Sequence, residues 1–212
     1  MKQKNIQHSA ITGGTGNRER VENDFYATPP ESTHALFDNY KFPKDKIYLE
    51  PCCGKGHISE VIKDRIIDRD DHSLLCSYDL IDYDYFDCDG VDIDAETTNY
   101  NILEFDEYHW DICITNPPFK QAESILSNLI EQSKDGNIIC LFLKIQFLEG
   151  LARRKLFEQH PPKEVLVFSK RQSPYRNGSP VDENGKPWSS AMCFCWFIWE
   201  VGFTGKPTIK WI

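Results

Sequence analysis

Ile47-Tyr48-Leu49-Glu50-Pro51-Cys52-Cys53-Gly54-Lys55-Gly56-His57 is an apolar run that closes on an acid and passes through two glycines into a helical pattern. It reads as a strand at 47–50, a loop whose glycines let a ligand approach the backbone, and a helix from His57. Working outward, apolar runs at 74–78, 111–115, 138–143 and 165–168 alternate with helical patterns that begin at Gln121 and Gly150. Such alternation predicts an α/β protein with a mainly parallel sheet. Upstream, Thr28-Pro29-Pro30-Glu31 has the spacing of a capping box and predicts a helix from Pro29 to about Tyr40, capped by Thr28. Downstream, residues 169–190 hold Pro174, Gly178, Pro180, Gly185 and Pro187 among polar residues and read as a long loop before the apolar, aromatic strand 191–199. No helix separates that strand from 165–168, so the two are expected to pair antiparallel, because a parallel return needs a crossover.

The chain has 212 residues, 40% apolar and 13% aromatic, enough for one packed domain and too many for a disordered chain. Residues 1–22 are polar, with Gly13, Gly14 and Gly16 close together, and read as a flexible tail; a single domain is expected over 23–212. The apolar runs fall well short of the roughly 20 residues of a membrane span. No signal-peptide core follows Met1-Lys2-Gln3-Lys4-Asn5, so a cytoplasmic protein without a membrane partner is expected. The eight cysteines contain no Cys-x-x-Cys, and Cys76, Cys113 and Cys140 sit in apolar runs. They read as small buried hydrophobes in a reducing compartment, with no metal. The net charge is −9, but eleven acids and one arginine lie between Asp68 and Glu96, which leaves the rest of the chain near neutral.

Three ligands compete for the glycine loop. A triphosphate loop needs Gly-x-x-x-x-Gly-Lys-Ser/Thr, whereas Lys55 is followed by Gly56. A dinucleotide would want a third glycine where Ser59 stands, and would bring a pyrophosphate toward the Glu50 carboxylate. A ligand with an amino group and no phosphate, such as S-adenosylmethionine, suits Glu50 better, and Asp79 after the second strand can accept from a ribose diol. A tight structural turn beside a solvated acid is the plainer alternative.

Asp111-Ile112-Cys113-Ile114-Thr115-Asn116-Pro117-Pro118-Phe119 carries the chemistry. Two prolines cannot continue a central strand, so the chain leaves the sheet at Asn116 in a stiff, extended segment. A stiff exit turn with an Asn cap explains that much. It also suits methylation of a planar amino nitrogen, a poor nucleophile whose lone pair is delocalised into the ring. The Asn116 side-chain oxygen and the Pro117 carbonyl can accept its two hydrogens and localise the lone pair, while Phe119 stacks on the ring.

Taken in order, Tyr26-Ala27-Thr28-Pro29-Pro30, the 49–56 loop, Ser77-Tyr78-Asp79-Leu80, Asn101-Ile102-Leu103 and Asn116-Pro117-Pro118-Phe119 resemble the SAM-dependent amino-methyltransferases, in particular the gamma-class DNA adenine-N6 enzymes. The resemblance implies a Rossmann-like fold: a mixed seven-stranded sheet, helices on both faces and an antiparallel C-terminal strand. It also implies that Thr28, Glu50 and Cys52, with the Gly54 and Gly56 loop, hold the methionine part of the cofactor. Asp79 and Leu80 would take the ribose and adenine, Asn101 and Ile102 the adenine edge, and Asn116, Pro117, Pro118 and Phe119 the target base. Asn101 departs from the usual Asp, although its oxygen can still accept. Residues 142–150, Phe-Leu-Lys-Ile-Gln-Phe-Leu-Glu-Gly, resemble the compact phage and prophage members more loosely. No large target-recognition domain is visible through Ile212, so recognition is expected from loops or a partner.

The same tetrapeptide occurs in methyltransferases of RNA bases and of a protein glutamine amide, and a catalytically silent SAM-binding or DNA-binding subunit is a further alternative. DNA is favoured by Phe119, which offers a stacking surface, and by the 169–190 loop with Lys170, Arg171, Arg176, Lys186, Tyr175 and Trp188. Lys144, Arg153 and Arg154 are candidates to extend that basic patch; a solvated surface loop is its plain alternative. An adenine in a duplex would have to be flipped out to reach Asn116.

Overall fold

The computed structural model describes residues 26–68, 73–77, 110–176 and 178–212. Along the chain run β1 (Tyr26–Ala27), α1 (Pro30–Asn39), β2 (Ile47–Glu50), α2 (His57–Asp68), β3 (Leu74–Ser77) and β4 (Ile112–Thr115). There follow α3 (Ala122–Glu131), β5 (Ile138–Lys144), α4 (Leu151–Gln159), β6 (Glu164–Val167), β7 (Tyr175–Arg176), β8 (Phe194–Glu200) and β9 (Thr208–Trp211). A 3-10 turn, Ile145–Leu148, joins β5 toward α4. The expected tail at 1–22 and most of the acidic segment 68–96 lie outside the described residues.

The described strands form a seven-stranded mixed sheet in the order β3-β2-β4-β5-β8-β6-β9. β3, β2, β4 and β5 are parallel neighbours. β8 runs antiparallel between β5 and β6, as the missing crossover predicted. β9 was not anticipated: four exposed residues after a Gly-Lys-Pro turn carry little pattern, yet they pair parallel with β6 and close the edge.

Period-two alternation sorts the strand residues between two cores. Ile112, Ile114, Ile138, Cys140, Phe142, Phe194, Trp196 and Ile198 face Leu36 of α1 and Ile58 and Ile62 of α2. Cys113, Ile139, Leu141, Leu143, Cys195, Phe197 and Trp199 face Ala122, Ile125, Leu126 and Leu129 of α3. Those four positions recur at helical spacing and are all buried. Because β5 and β8 are covered on both faces, they are apolar almost throughout, and Cys113, Cys140 and Cys195 fill small core spaces as thiols. Burial raises the thiols of Cys113 and Cys140 well above their ordinary range and pushes Cys195 up to about 12.

Two local expectations are corrected. The capping box does not form: Pro29 is the N-cap, the Ser32 amide donates to the Pro29 carbonyl, and no side chain caps the helix. Two successive prolines shift the start by one residue and carry Thr28 into the interior instead. The 169–190 segment is not a free loop either, since β7 pairs antiparallel with β1 as a separate two-stranded sheet. No helix among the described residues is long and apolar enough to cross a membrane.

Candidate active site

β2 has β3 on one side and β4 on the other, so the strand order reverses at β2, and in open α/β sheets ligands bind outside the carboxyl ends of the strands at such a point. Glu50 is the last residue of β2, Asn116 directly follows β4, and Lys144 is the last residue of β5. Three adjacent parallel strands therefore deliver a carboxylate, an amide and an ammonium, in that order, to one edge of the sheet.

Glu50 is only 1% exposed, and the Ser59 hydroxyl donates to its carboxylate. Such a partner offsets part of the cost of burying a polar group. Ser59 thus occupies the position of the absent third glycine and orients the acid, a role that its side-chain type alone did not announce. Between them, the Gly56 amide donates to the Cys53 carbonyl at 2.8 Å to close the turn. Gly56 has φ +76°, and a Cβ there would meet nothing within 4 Å, so the loop is a left-handed turn facing open space. Cys52 is buried against the α3 side of the sheet. Thr28 is also buried, and its hydroxyl has no hydrogen-bond partner among the described residues. Asp79, Leu80, Asn101 and Ile102 lie outside the described residues.

Asn116 is held by a contact that the side-chain pattern could not reveal. Its Nδ2 donates to the backbone carbonyl of Tyr26 at 2.6 Å. A carbonyl can only accept, so this bond fixes which end of the amide is which. The other end, Oδ1, is buried and has no partner among the described residues. Pro117 is buried, while Pro118 and Phe119 are half-buried. The Phe119 ring lies 6.3 Å from that of Tyr26 at an interplanar angle of 24°, and 5.9 Å from Phe194. The Lys144 ammonium sits 4.1 Å from the Phe119 centroid.

The segment after β6 lies on the glycine loop. A Cβ on Gly178 would stand 2.8 Å from Lys55 Cδ. His57 packs edge-on to Tyr175 with ring centroids 6.0 Å apart and shares a hydrogen bond with the Gly178 backbone, and the Tyr175 hydroxyl is hydrogen-bonded to Glu31. Ser32 in α1 donates to Gln172 at 2.8 Å. Burial, with Lys55 nearby, lowers the His57 pKa despite the Gly178 bond. The neutral ring therefore contributes stability that is complete above the unfolded value of about 6.5 and is lost as pH falls through the lowered folded value. His57→Gln is expected to remove this part of the acid-side fall in Tm; an unchanged Tm profile between pH 5 and 8 refutes it.

The basic residues divide into two groups. Lys170, Arg171 and Lys186 are exposed, whereas Arg176 and Trp188 are half-buried and paired, the guanidinium 4.8 Å from the indole centroid. Arg171 also donates to the Ser190 and Ala191 carbonyls and braces the segment. Arg153 is turned inward, donating to the Phe147 carbonyl at 2.9 Å, and Arg154 pairs with Glu158 at 2.8 Å. Lys144 lies over the Phe119 ring instead.

No family model matches the chain, and no curated protein matches it either. Solved structures do. A protein of Listeria monocytogenes assigned as a class I S-adenosylmethionine-dependent methyltransferase superposes with a TM-score of 0.56 at 11% identity, over 88% of this chain and 65% of that one. The methyltransferase subunit of a type I restriction-modification system from Streptococcus thermophilus gives 0.57 at 14%, over 92% and 48%. A protein of Lactococcus lactis assigned as a hemolysin gives 0.54 at 13%, over 86% and 91%. The chain thus spans about two thirds of the first neighbour and half of the second, and proteins of differing assignment share its architecture. Strand order, the antiparallel β8 and these superpositions together show that the chain has the Rossmann-like fold of the class I S-adenosylmethionine-dependent methyltransferases.

Proposed function

We propose that this protein methylates the exocyclic N6 of adenine in DNA, with S-adenosylmethionine as methyl donor. The observation that carries the reading is the Asn116 amide, tied through Nδ2 to the Tyr26 carbonyl and left with a buried, unpartnered Oδ1. A fixed acceptor of this kind suits a group that brings N–H hydrogens and no acceptor of its own, which describes an exocyclic amine. Asn116 Oδ1 and the Pro117 carbonyl accept those hydrogens and turn the nitrogen lone pair out of conjugation. The rigid Pro117-Pro118 step holds both acceptors without further ordering.

The residues of the crevice fit the donor. The buried Glu50 carboxylate, braced by Ser59, suits an ammonium; the open left-handed turn at Gly56 lets a ligand reach the backbone; the Thr28 hydroxyl has hydrogen-bonding capacity to spare. Asp79, Leu80, Asn101 and Ile102 remain candidates for the ribose and adenine. When bound, S-adenosylmethionine supplies a methyl group activated by the adjacent sulfonium.

A nucleic-acid substrate is supported by the segment after β6, which carries Lys170, Arg171, Arg176, Lys186 and Trp188 beside the crevice. Antiparallel pairing with β1, next to Tyr26, holds that segment close to Asn116. The restriction-modification neighbour points the same way. Incubating the protein with labelled S-adenosylmethionine and either duplex DNA, RNA or a protein extract tests the assignment. Label in N6-methyladenine of DNA is expected; label only in RNA or protein, or none at all, overturns it. In the same assay, replacing Lys170 and Lys186 together by alanine is expected to make binding less salt-dependent, by about two in the log-log slope if each contacts one phosphate. An unchanged slope removes the segment from the interface.

A further inference from the structure

Register sorts the residues of the small sheet between two faces. β1 and β7 pair antiparallel, with Tyr26 opposite Arg176 and Ala27 opposite Tyr175. Residues directly opposite share a face, and successive residues alternate. Ala27 is buried, and Tyr175 packs on His57 and bonds to Glu31, so that face is turned toward the glycine turn and α1. Tyr26 and Arg176 share the other face. There the Tyr26 ring lies 6.3 Å from Phe119 at an interplanar angle of 24°, and the Arg176 guanidinium lies 4.8 Å from the Trp188 indole centroid.

Ring, ring, guanidinium and ring thus follow one another, from the tetrapeptide that bears the target-amine acceptor across the small sheet to Trp188. All four side chains are half-buried, so each keeps some surface open to solvent. The row is also held in place. Trp188 Nε1 donates to the Ser179 carbonyl at 2.7 Å, and the Tyr26 main chain is fixed by the β7 ladder and by Asn116 Nδ2. Groups ordered in advance lose little freedom when a ligand settles on them. Every nucleobase has a π-face that such rings can take, and a planar guanidinium continues the row while its edge donors suit a phosphate. A peptide running past a target glutamine offers flat groups only where its own sequence supplies them, whereas every nucleotide brings a base.

We infer that Tyr26, Arg176 and Trp188 form a stacking site for the nucleotides beside the target adenine on the same strand, continuing the surface that Phe119 begins. This rests on the nucleic-acid reading above and deepens it. The neighbours of the target adenine leave their stack together with it, so a strand that is already unpaired is the favoured form of the substrate.

The test uses a single-stranded oligonucleotide with one adenine, of whichever kind accepts label, alone or annealed to its complement, and versions with an abasic site on the 5′ or the 3′ side of that adenine. Affinity is read by fluorescence anisotropy and transfer by steady-state kinetics. For the wild type, an abasic site on one of the two sides is expected to weaken binding about tenfold, and exchange of that neighbour for another base to change it by less than about threefold. Tyr26→Leu and Trp188→Leu are each expected to bind the intact strand about tenfold more weakly. In them the abasic site adds little, because its stacking partner is already gone. Tyr26→Leu keeps the main-chain carbonyl that holds Asn116, so kcat is expected to change far less than affinity, and Tyr26→Phe to bind as the wild type does. Calorimetric affinity for S-adenosylmethionine and the Tm establish that each variant is folded. Abasic sites that leave wild-type binding unchanged on both sides, or that weaken the leucine variants as much as the wild type, overturn the stacking site. Transfer confined to the annealed duplex overturns it too. Failure of the wild type to label any intact oligonucleotide, while it labels protein, overturns the nucleic-acid reading instead and takes this proposal with it. The two failures are distinguishable, because the second appears before any abasic site or substitution is introduced.

Discussion

Replacing Asn116 by alanine is expected to reduce methyl transfer by about 10²–10³-fold or more. It should leave the affinity for S-adenosylmethionine within about twofold, since the cofactor is assigned to Glu50, Thr28 and the glycine turn. The physical reason is the division of labour within one amide. Nδ2 spends its hydrogen bond on the Tyr26 carbonyl, which sets orientation, and the buried Oδ1, with no partner among the described residues, is the acceptor proposed for the target amine. Alanine deletes both and takes the Asn116 donor from the Tyr26 carbonyl, at a structural cost of about 1–3 kcal/mol. Asn116→Asp separates the two effects: the carboxylate still accepts but cannot donate to Tyr26, so activity should fall although an acceptor is retained. Single-turnover transfer with calorimetry of cofactor binding checks both. Equal loss of transfer and cofactor affinity in Asn116→Ala would refute the assigned role.

Trp196→Ala is expected to have the largest effect on stability, about 3–5 kcal/mol, or a fall in Tm of roughly 10 °C. Trp196 is fully buried in the middle of β8, its indole lies 5.1 Å from Phe142, and its Nε1 donates to the Ser32 carbonyl at 2.8 Å. It therefore fastens α1 to the sheet, and α1 starts two residues after Thr28. Trp196→Phe keeps most of the packing and abandons only the Ser32 carbonyl, so about 1–2 kcal/mol is expected. Urea unfolding measures both; a loss below about 1 kcal/mol in the alanine variant contradicts the anchoring.

Much of the architecture was legible because its signals are local. The 47–57 hinge, the start of α3 after the two prolines and the helix after Gly150 all came from residues adjacent in the chain. The antiparallel β8 followed from a missing crossover, which is also a sequence property. Where reading failed, a neighbouring constraint won. Pro29 took the N-cap position from Thr28, and β9, too short and too exposed to carry a pattern, found its place through the β6 ladder. The site divides in the same way. Side-chain chemistry marked Glu50 and the 116–119 tetrapeptide, but the observed contacts of Ser59, Tyr26 and Lys144 join them to residues 9, 90 and 25 positions away along the chain.

By itself, then, the amino-acid sequence determined an α/β alternation, a glycine turn that follows an acid at the end of β2, and a rigid exit from β4 through Asn116 and two prolines. Only the tertiary structure decided how these meet. A backbone carbonyl at Tyr26 orients the Asn116 amide, the segment after β6 pairs with β1 and lies over the glycine loop, and Lys144 is set on Phe119 at the end of a third parallel strand. The physical reason is that backbone groups are identical at every residue and ring stacking has no preferred spacing in sequence. Such contacts exist only once the sheet has brought distant strand ends to a common edge.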